Sequence, residues 1–363
     1  MGPGGTDREK TMAIPTKMKS AFLNGTRNMI IQMVDTPQPG FGEVLVRIEK
    51  TGICGSDVHY YEYGRIGDHL AEGLTRLGHE SAGIVDAVGS GVKTHKIGDR
   101  VSIEPQKTCM HCEYCLTGRY NLCSEVVFLA SPPVPGTFCE YVAHPAEFCF
   151  HIPDGMSMEE GALIEPLAVG FQAAAQAEAV VGQSAVVLGA GCIGLCTMMA
   201  LQARGVRNVF ISDVIEKRLE KAKELGAMGA FNPSKEDVVQ AVLDATNGKG
   251  VDIAIETSGA KTATESLMLF CKRGASVVFV GQAANPIEIT FRPRTFISKE
   301  LTFRAVFRYR NVYPACIDAA RCIPLPLKSI ISKTYRFDQI GEAFEYNVEH
   351  RNEVVKIVID HTK

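Results

Sequence analysis

The segment TCMHCEYCLTGRYNLC, residues 108–123, sets Cys109, Cys112 and Cys115 at intervals of three and adds Cys123 after a short loop. Four of the chain's 12 cysteines therefore sit in one run. Such a run can be a disulfide knot, a redox pair or a closed metal site. Interleaved C-x-x-C pairs would scramble rather than give one defined couple, and structural disulfides are rare in a reducing compartment. Four thiolates at these spacings have the ligand count of a structural zinc site, a closed tetrahedron that does no chemistry of its own. The expectation is a zinc ion held by Cys109, Cys112, Cys115 and Cys123.

A second set lies upstream. GICGSDVH puts Cys54 and His59 in one loop, and GHE supplies His79 beside Glu80. Catalytic zinc takes about three protein ligands and keeps one position open for exchange. A lone cysteine or histidine is more often packed or solvated than a ligand, but a third pattern changes the reading. Gly189-Ala190-Gly191-Cys192-Ile193-Gly194 is a G-x-G-x-x-G that follows the run SAVVL and opens a helical stretch. In that context Gly189 permits the tight turn, Gly191 lets backbone approach a pyrophosphate, and Gly194 packs helix on strand. The helix N-terminus then offers free N–H groups to the phosphates. Asp213, closing NVFISD, can hydrogen-bond both ribose hydroxyls and repels a 2′-phosphate, which favours NAD over NADP. Arg218, further along the next helix, borders the adenosine. A nicotinamide accepts hydride, but the alcohol must also lose a proton, and zinc makes a coordinated oxygen acidic enough near neutral pH. Each set supplies what the other lacks.

These residues need elements to hold them. From Lys19 to about Phe150, short apolar runs such as EVLVRIEKTGICG, SAGIVDAVGSGVK and GDRVSIEP are broken by glycine and proline. They predict a mostly antiparallel β domain with long functional loops. Around IPDGMSMEEGALIEPLAVGFQAA the periodicity turns helical, with a cap at Ser157. Beyond Gly182 the runs SAVVLGAG, NVFISD, DIAIETSG, SVVFVG and LTFRAVF alternate with amphipathic stretches such as EKRLEKAKELGA and EDVVQAVLDATN. That alternation predicts a parallel sheet covered on both faces. The tail ends in VVKIVI, an apolar run able to rejoin the first domain.

With 363 residues, 46% of them apolar and 22% charged, the chain is long enough for two domains. Its net charge of −3 and lack of a basic stripe argue against a nucleic-acid partner. No apolar run reaches the roughly 18 residues a membrane helix needs. The opening MGPGGTDREKTMAIPTK lacks the apolar core of a signal peptide. The expectation is a cytoplasmic protein with a flexible leader over residues 1–18.

Together, GICGSDVHYYEYGRIG, LGHE, GDRVSIEP, GRYNLC, EEGALIEPLAVG, GAGCIG and VFRY resemble the zinc-containing medium-chain dehydrogenases. Within them they are similar to the polyol branch of sorbitol, xylitol and L-arabinitol dehydrogenases. The likeness runs from about Lys19 to the C-terminus. It implies an α/β two-domain fold with a GroES-like β-barrel catalytic domain, residues 19–165 and 306–363, and a doubly wound Rossmann NAD-binding domain, residues 166–305. It implies Cys54, His79 and Glu80 around a catalytic zinc, with Glu165 as fourth ligand or holding the zinc-bound water. Asp57 would orient His79, and Ser56 and His59 would carry the substrate proton outward. Tyr60, Phe128, Glu165, Arg308 and Tyr309 would surround the polyol. The resemblance also puts Gly189, Gly191, Ile193, Gly194, Asp213, Arg218, Val280, Gly281, Val306, Phe307 and Arg308 along the cofactor.

The implied activity is zinc- and NAD-dependent oxidation of a secondary polyol hydroxyl to the ketose, with two zinc ions per chain, in a homotetramer. One alternative is a threonine or 2,3-butanediol dehydrogenase, against which VFRY and the Glu80/Glu165 pair stand. The other is a crystallin-like or sensor protein, whose mark would be a damaged zinc or cofactor set. One departure is DHLAEGLTRLGHE, which lacks the proline usual before LGHE in a loop that borders the family's substrate mouth. The four-cysteine lobe, lost from animal sorbitol dehydrogenases, makes the chain look more like bacterial or fungal members.

Overall fold

The computed structural model describes residues 13–282, 287–323 and 325–363. The first 12 residues, most of the expected leader, lie outside them. Lys17 and Met18, also expected in the leader, instead begin the strand Lys17–Asn24, which pairs antiparallel with Met29–Asp35. The reason is local: Met18 is buried in the β core, and Lys17 pairs with Asp35 at 2.8 Å.

The first half is built around Glu43–Ile53, an 11-residue strand with most side chains buried. It pairs antiparallel with Glu80–Val88, Tyr141–Pro145 and Lys356–Asp360. Arg100–Ile103, Cys149–His151 and Ile331–Arg336 complete this seven-stranded sheet. The C-terminal run therefore returns to the first half as an interior strand, and its apolar residues need that cover. Two loops leave the sheet, the segment around Cys54 and the lobe containing the four cysteines.

The second half is a six-stranded parallel sheet. Its order is Gly229–Phe231, Asn208–Ser212, Ser184–Leu188, Val251–Glu256, Cys271–Phe279, Thr302–Ala305. Numbered along the chain, that is the 3-2-1-4-5-6 arrangement of doubly wound dinucleotide folds. Strand order reverses beside Ser184–Leu188, so the crevice opens above its C-terminal end, where the glycine-rich turn begins. Helices such as Glu216–Glu224 and Val238–Ala245 turn Leu219, Ala222, Val238 and Val242 toward the sheet.

The helix Met158–Gln176 runs through the expected boundary at 165/166 without a break. Ser157 caps it, accepting from the Glu160 N–H while Glu160 returns a bond to the Ser157 N–H. That capping box starts the helix firmly. Pro166 withholds one helical N–H, yet Gly161 to Ala168 are all buried and packing carries the helix past it. Among the described residues, no helix is long and apolar enough to cross a membrane.

Candidate zinc and dinucleotide site

Cys54 caps the helix Gly55–Tyr63, and His79 and Glu80 lie at the start of the neighbouring strand. Asp57 ties the two loops together. Its carboxylate accepts from the Cys54 N–H and the Gly78 N–H, each at 3.0 Å, and its Oδ1 lies 3.7 Å from His79 Nδ1. Burial raises the Asp57 pKa, while His79 and the two N–H donors oppose that rise. One donor atom each from Cys54, His79 and Glu80 lie within 4.8 Å of one another. Burial alone would lower the His79 pKa, but Cys54 and Asp57 outweigh it and raise the value well above the ordinary one. His79 Nδ1 is buried without a hydrogen-bond partner. The cluster is arranged to surround a positive charge.

Glu165, midway along Met158–Gln176, stands outside that compact set. Its Oε1 accepts from Tyr309 Oη at 2.6 Å. Burial lifts its pKa to about 7; His79 and Tyr309 pull it down and Glu80 pushes it up. Phe128 faces His79 with ring centroids 5.5 Å apart and also carries the Arg308 guanidinium 4.5 Å above its ring. Arg308 Nη1 is buried and has no hydrogen-bond partner. Phe128, Glu165, Arg308 and Tyr309 thus share a wall beside the cluster. Tyr60 is buried in the small core behind the Cys54 helix. Ser56 is half-buried, and the exposed His59 gives its Nδ1 to the Arg65 carbonyl at 2.7 Å. Among the described residues, no direct hydrogen bond joins Ser56 or His59 to the cluster.

Two participants escaped the sequence reading. Lys356, almost wholly buried, places Nζ 2.6 and 2.7 Å from the two Glu80 oxygens and 2.9 Å from the Ile53 carbonyl. Glu80, expected as a zinc ligand, therefore already has a cation. The signal was a lysine inside the apolar run VVKIVI. Glu104 is the second: a buried carboxylate pushed by burial to about 7, bonded to Gln106, whose amide also reaches the Tyr309 carbonyl at 3.0 Å.

In the cysteine lobe, Sγ–Sγ separations are 3.5 Å for Cys112–Cys115, 3.5 Å for Cys109–Cys123 and 3.9 Å for Cys109–Cys115. A zinc tetrahedron with bonds of about 2.3 Å has edges of about 3.8 Å. The four sulfurs fit it. The lobe also grips the segment that carries Arg308 and Tyr309. Asn121 donates to the Phe307 carbonyl at 2.8 Å, and Asn311 donates to Tyr120 Oη at 2.7 Å and to the Gly118 carbonyl at 2.8 Å. Arg308 and Asn311 sit at φ of 58° and 54°, a strained region for such residues. These bonds hold them there.

At the parallel sheet, Gly189 adopts φ of 103°, and a Cβ on Gly194 would collide with the Gly189 carbonyl. The turn therefore leaves a cradle of backbone N–H groups at the head of the helix Cys192–Ala203. Asp213 accepts from Ala190 N at 2.8 Å and Ile215 N at 2.9 Å, and Arg218 Nη1 lies 3.8 Å from it. A cavity of about 500 Å³ opens beside Asp213, lined by Val214, Ile215, Ser258, Ala263 and Phe270 among others. Its size and apolar walls suit an adenosine. Val280 bonds to the Glu256 carbonyl, and a Cβ on Gly281 would strike Gly259 and Glu256. Val306 bonds to Phe279 O, which leads Phe307 and Arg308 out of the sheet toward the cleft.

Residues 40–154 match the alcohol dehydrogenase GroES-like domain, and residues 192–321 match the zinc-binding dehydrogenase domain. A sorbitol dehydrogenase of Bacillus subtilis is 38% identical over 96% of this chain and 99% of its own. The chain belongs to the zinc-containing alcohol dehydrogenases. Among solved structures, the dehydrogenase superposes on an oxidoreductase of unknown specificity from Escherichia coli with a TM-score of 0.90 and 38% identity, covering 95% of this chain and 99% of that one. It superposes on the 2R,3R-butanediol dehydrogenase of Bacillus subtilis with a TM-score of 0.85 and 32% identity, covering 94% and 99%. Zinc and a nicotinamide dinucleotide are the groups this dehydrogenase family uses, and the donor clusters and the glycine cradle fit both.

Proposed function

We propose that this dehydrogenase oxidises a secondary hydroxyl of a polyol (sorbitol, xylitol or L-arabinitol) to the ketose, reversibly, with NAD and zinc. The observation that carries this reading is the 2.6 Å bond from Tyr309 to Glu165 in a wall shared with Phe128 and Arg308. Bound zinc supplies the Lewis acid and NAD the hydride acceptor. Cys54 and His79 would hold that zinc, with Glu80 or Glu165 beside them, and a second zinc would sit on Cys109, Cys112, Cys115 and Cys123. Tyr309 occupies Glu165 Oε1, which leaves Oε2 to take the proton of the reacting hydroxyl. Arg308 can donate to hydroxyls further along the substrate, donors for which a simple alcohol has no use. Ser56 and His59 would pass the proton outward, and Tyr60 would border the substrate.

Asp213 supports NAD over NADP, because a 2′-phosphate would meet its carboxylate. In this reading residues 19–165 and 306–363 do the chemistry and residues 166–305 carry the cofactor. A cytoplasmic homotetramer is the assembly we infer from family resemblance. The likeness to the Bacillus subtilis sorbitol dehydrogenase supports the substrate class. The test is a turnover panel of xylitol, sorbitol and L-arabinitol against threonine and 2,3-butanediol, each with NAD and with NADP. Higher kcat/KM for threonine or butanediol than for every polyol would overturn the reading.

A further inference from the structure

The glycine-rich turn carries two thiols for which the polyol reaction has no use. Cys192 is the first residue of the helix Cys192–Ala203, directly after Gly191, and Cys196 stands one turn further on. Four residues apart on one helix, the two side chains stand on the same face. Cys196 is fully buried, whereas Cys192 is partly exposed and lines a cleft of about 240 Å³. Gly191, Gly194, Arg351 and Lys356 form other walls of that cleft, and Ile53 and Gly55 flank Cys54 on its far side. This is where a dinucleotide's phosphates would lie.

Cys192 differs from the buried cysteines elsewhere in the chain. The neighbouring Cys196 thiol lowers its pKa most; burial opposes, and the Lys356 ammonium lowers it further. Its place at a helix N-terminus adds a positive partial charge. Cys149, by contrast, is pushed upward by burial alone. A partly exposed thiol with a second thiol behind it has the arrangement of an attacking and a resolving pair.

We propose that Cys192 is an oxidation site resolved by Cys196, and that the resulting disulfide and a bound dinucleotide exclude each other. The oxidant is a hydroperoxide. The Cys192 thiolate attacks the terminal peroxide oxygen, the O–O bond breaks, and the leaving oxygen departs as alcohol or water after protonation. Cys192 is then a sulfenic acid. The Cys196 sulfur displaces its hydroxyl, which leaves as water with the Cys196 proton. Two thiols lose two electrons and two protons, and the peroxide is reduced by the same two electrons.

Exclusion follows from helix geometry and rests on the cofactor reading of this turn. Side chains four residues apart on a helix have Cβ atoms about 5–6 Å apart, whereas a disulfide needs about 3.5–4.5 Å. The first turn must therefore unwind for the bond to close. That turn holds the N–H cradle, and Gly194 within it is packed on Gly189. Whatever unwinds it removes phosphate binding, and by reciprocity a bound dinucleotide opposes oxidation.

The test treats the zinc-loaded enzyme with hydrogen peroxide, with and without NADH. Peptide mass mapping follows the Cys192–Cys196 link, fluorescence titration follows NADH binding, and metal analysis follows zinc. The expected result is an oxidised peptide two hydrogens lighter, whose yield tracks the loss of NADH binding, both reversed by a phosphine reductant. NADH at about 100 times its Kd should slow the link on the order of 100-fold, since only the free fraction reacts. Cys196→Ala should instead leave a sulfenic acid at Cys192 that dimedone traps. The proposal is overturned if peroxide leaves both thiols reduced, if the link forms equally fast with NADH bound, or if lost binding tracks zinc release while the pair stays reduced. Fully linked protein that still binds NADH at the cleft would remove the exclusion. Reduced protein that never binds NADH would instead overturn the cofactor reading, with the mass map still reporting the thiol pair.

Discussion

Replacing Lys356 with Met should destabilise the protein far more than a surface charge would. Lys356 and Glu80 are 3% and 1% exposed, and both Glu80 oxygens lie within 2.7 Å of the ammonium. Methionine keeps much of the apolar stem and removes the charge, so Glu80 is left buried without its ion-pair partner. Breaking a buried pair by removing one partner costs about 3–5 kcal/mol, because the remaining charge is uncompensated. That corresponds to a rise of roughly 10²- to 10⁴-fold in the unfolding constant. The chain contains no Trp, so urea unfolding of the zinc-loaded enzyme is best followed by circular dichroism. The decisive comparison adds Glu80→Gln. If the cost lies in the stranded carboxylate, Lys356→Met/Glu80→Gln should be more stable than Lys356→Met alone. A single variant within about 1 kcal/mol of the parent, the scale of an exposed pair, would refute the reasoning, as would a double variant whose cost is the sum of the two.

Four other outcomes are expected. Cys109→Ser should release one zinc of two by metal analysis and raise KM for polyols before the fold is lost, because Asn121 and Tyr120 hold Phe307 and Asn311; an unchanged zinc count would remove the lobe assignment. Asp213→Gly should weaken NAD and improve NADP in kcat/KM, and wild-type enzyme that already uses both equally would contradict the role given to Asp213. Glu165→Gln should keep the fold and NADH binding yet lose about 10²- to 10⁴-fold in kcat, the usual scale of general-base help; near-normal turnover would leave Glu165 a structural carboxylate. Burial, with help from Lys107, lowers the His144 pKa to about 4 despite its bond to the Glu104 carbonyl. The unfolded chain takes up this proton near pH 6.5 and the native protein does not, so stability should fall as pH drops from about 6.5 toward 4. His144→Gln should flatten that limb, and an identical pH dependence would rule the histidine out.

The parts of this molecule that could be read from sequence are those written locally. Parallel strands buried on both faces need continuous β-branched runs, so SAVVL and DIAIE announced themselves. Ser157 and Glu160 form a cap within one turn. The four cysteines are neighbours along the chain before they are neighbours in space. What escaped is made by distant segments. Glu80 and Lys356 are 276 residues apart, and no local pattern links them. The grip of the cysteine lobe on Phe307–Asn311 likewise joins residues 186 to 193 positions apart. The boundary at 165/166, implied by the family resemblance, falls inside a helix that the sequence starts at Ser157, and packing on both halves carries the helix across.

That uninterrupted helix limits how such an enzyme can be taken apart or recombined. Cutting at 165/166 would split a helix whose residues Gly161 to Ala168 are all buried, and would expose apolar surface on both fragments. Neither half is then a free-standing module. A parallel sheet transplanted from a relative must bring Met158–Gln176 with it, and Glu165 travels as a passenger. Exchange of the parallel-sheet half between lineages would thus also exchange Glu165 and its bond to Tyr309, so that half and this contact are inherited together.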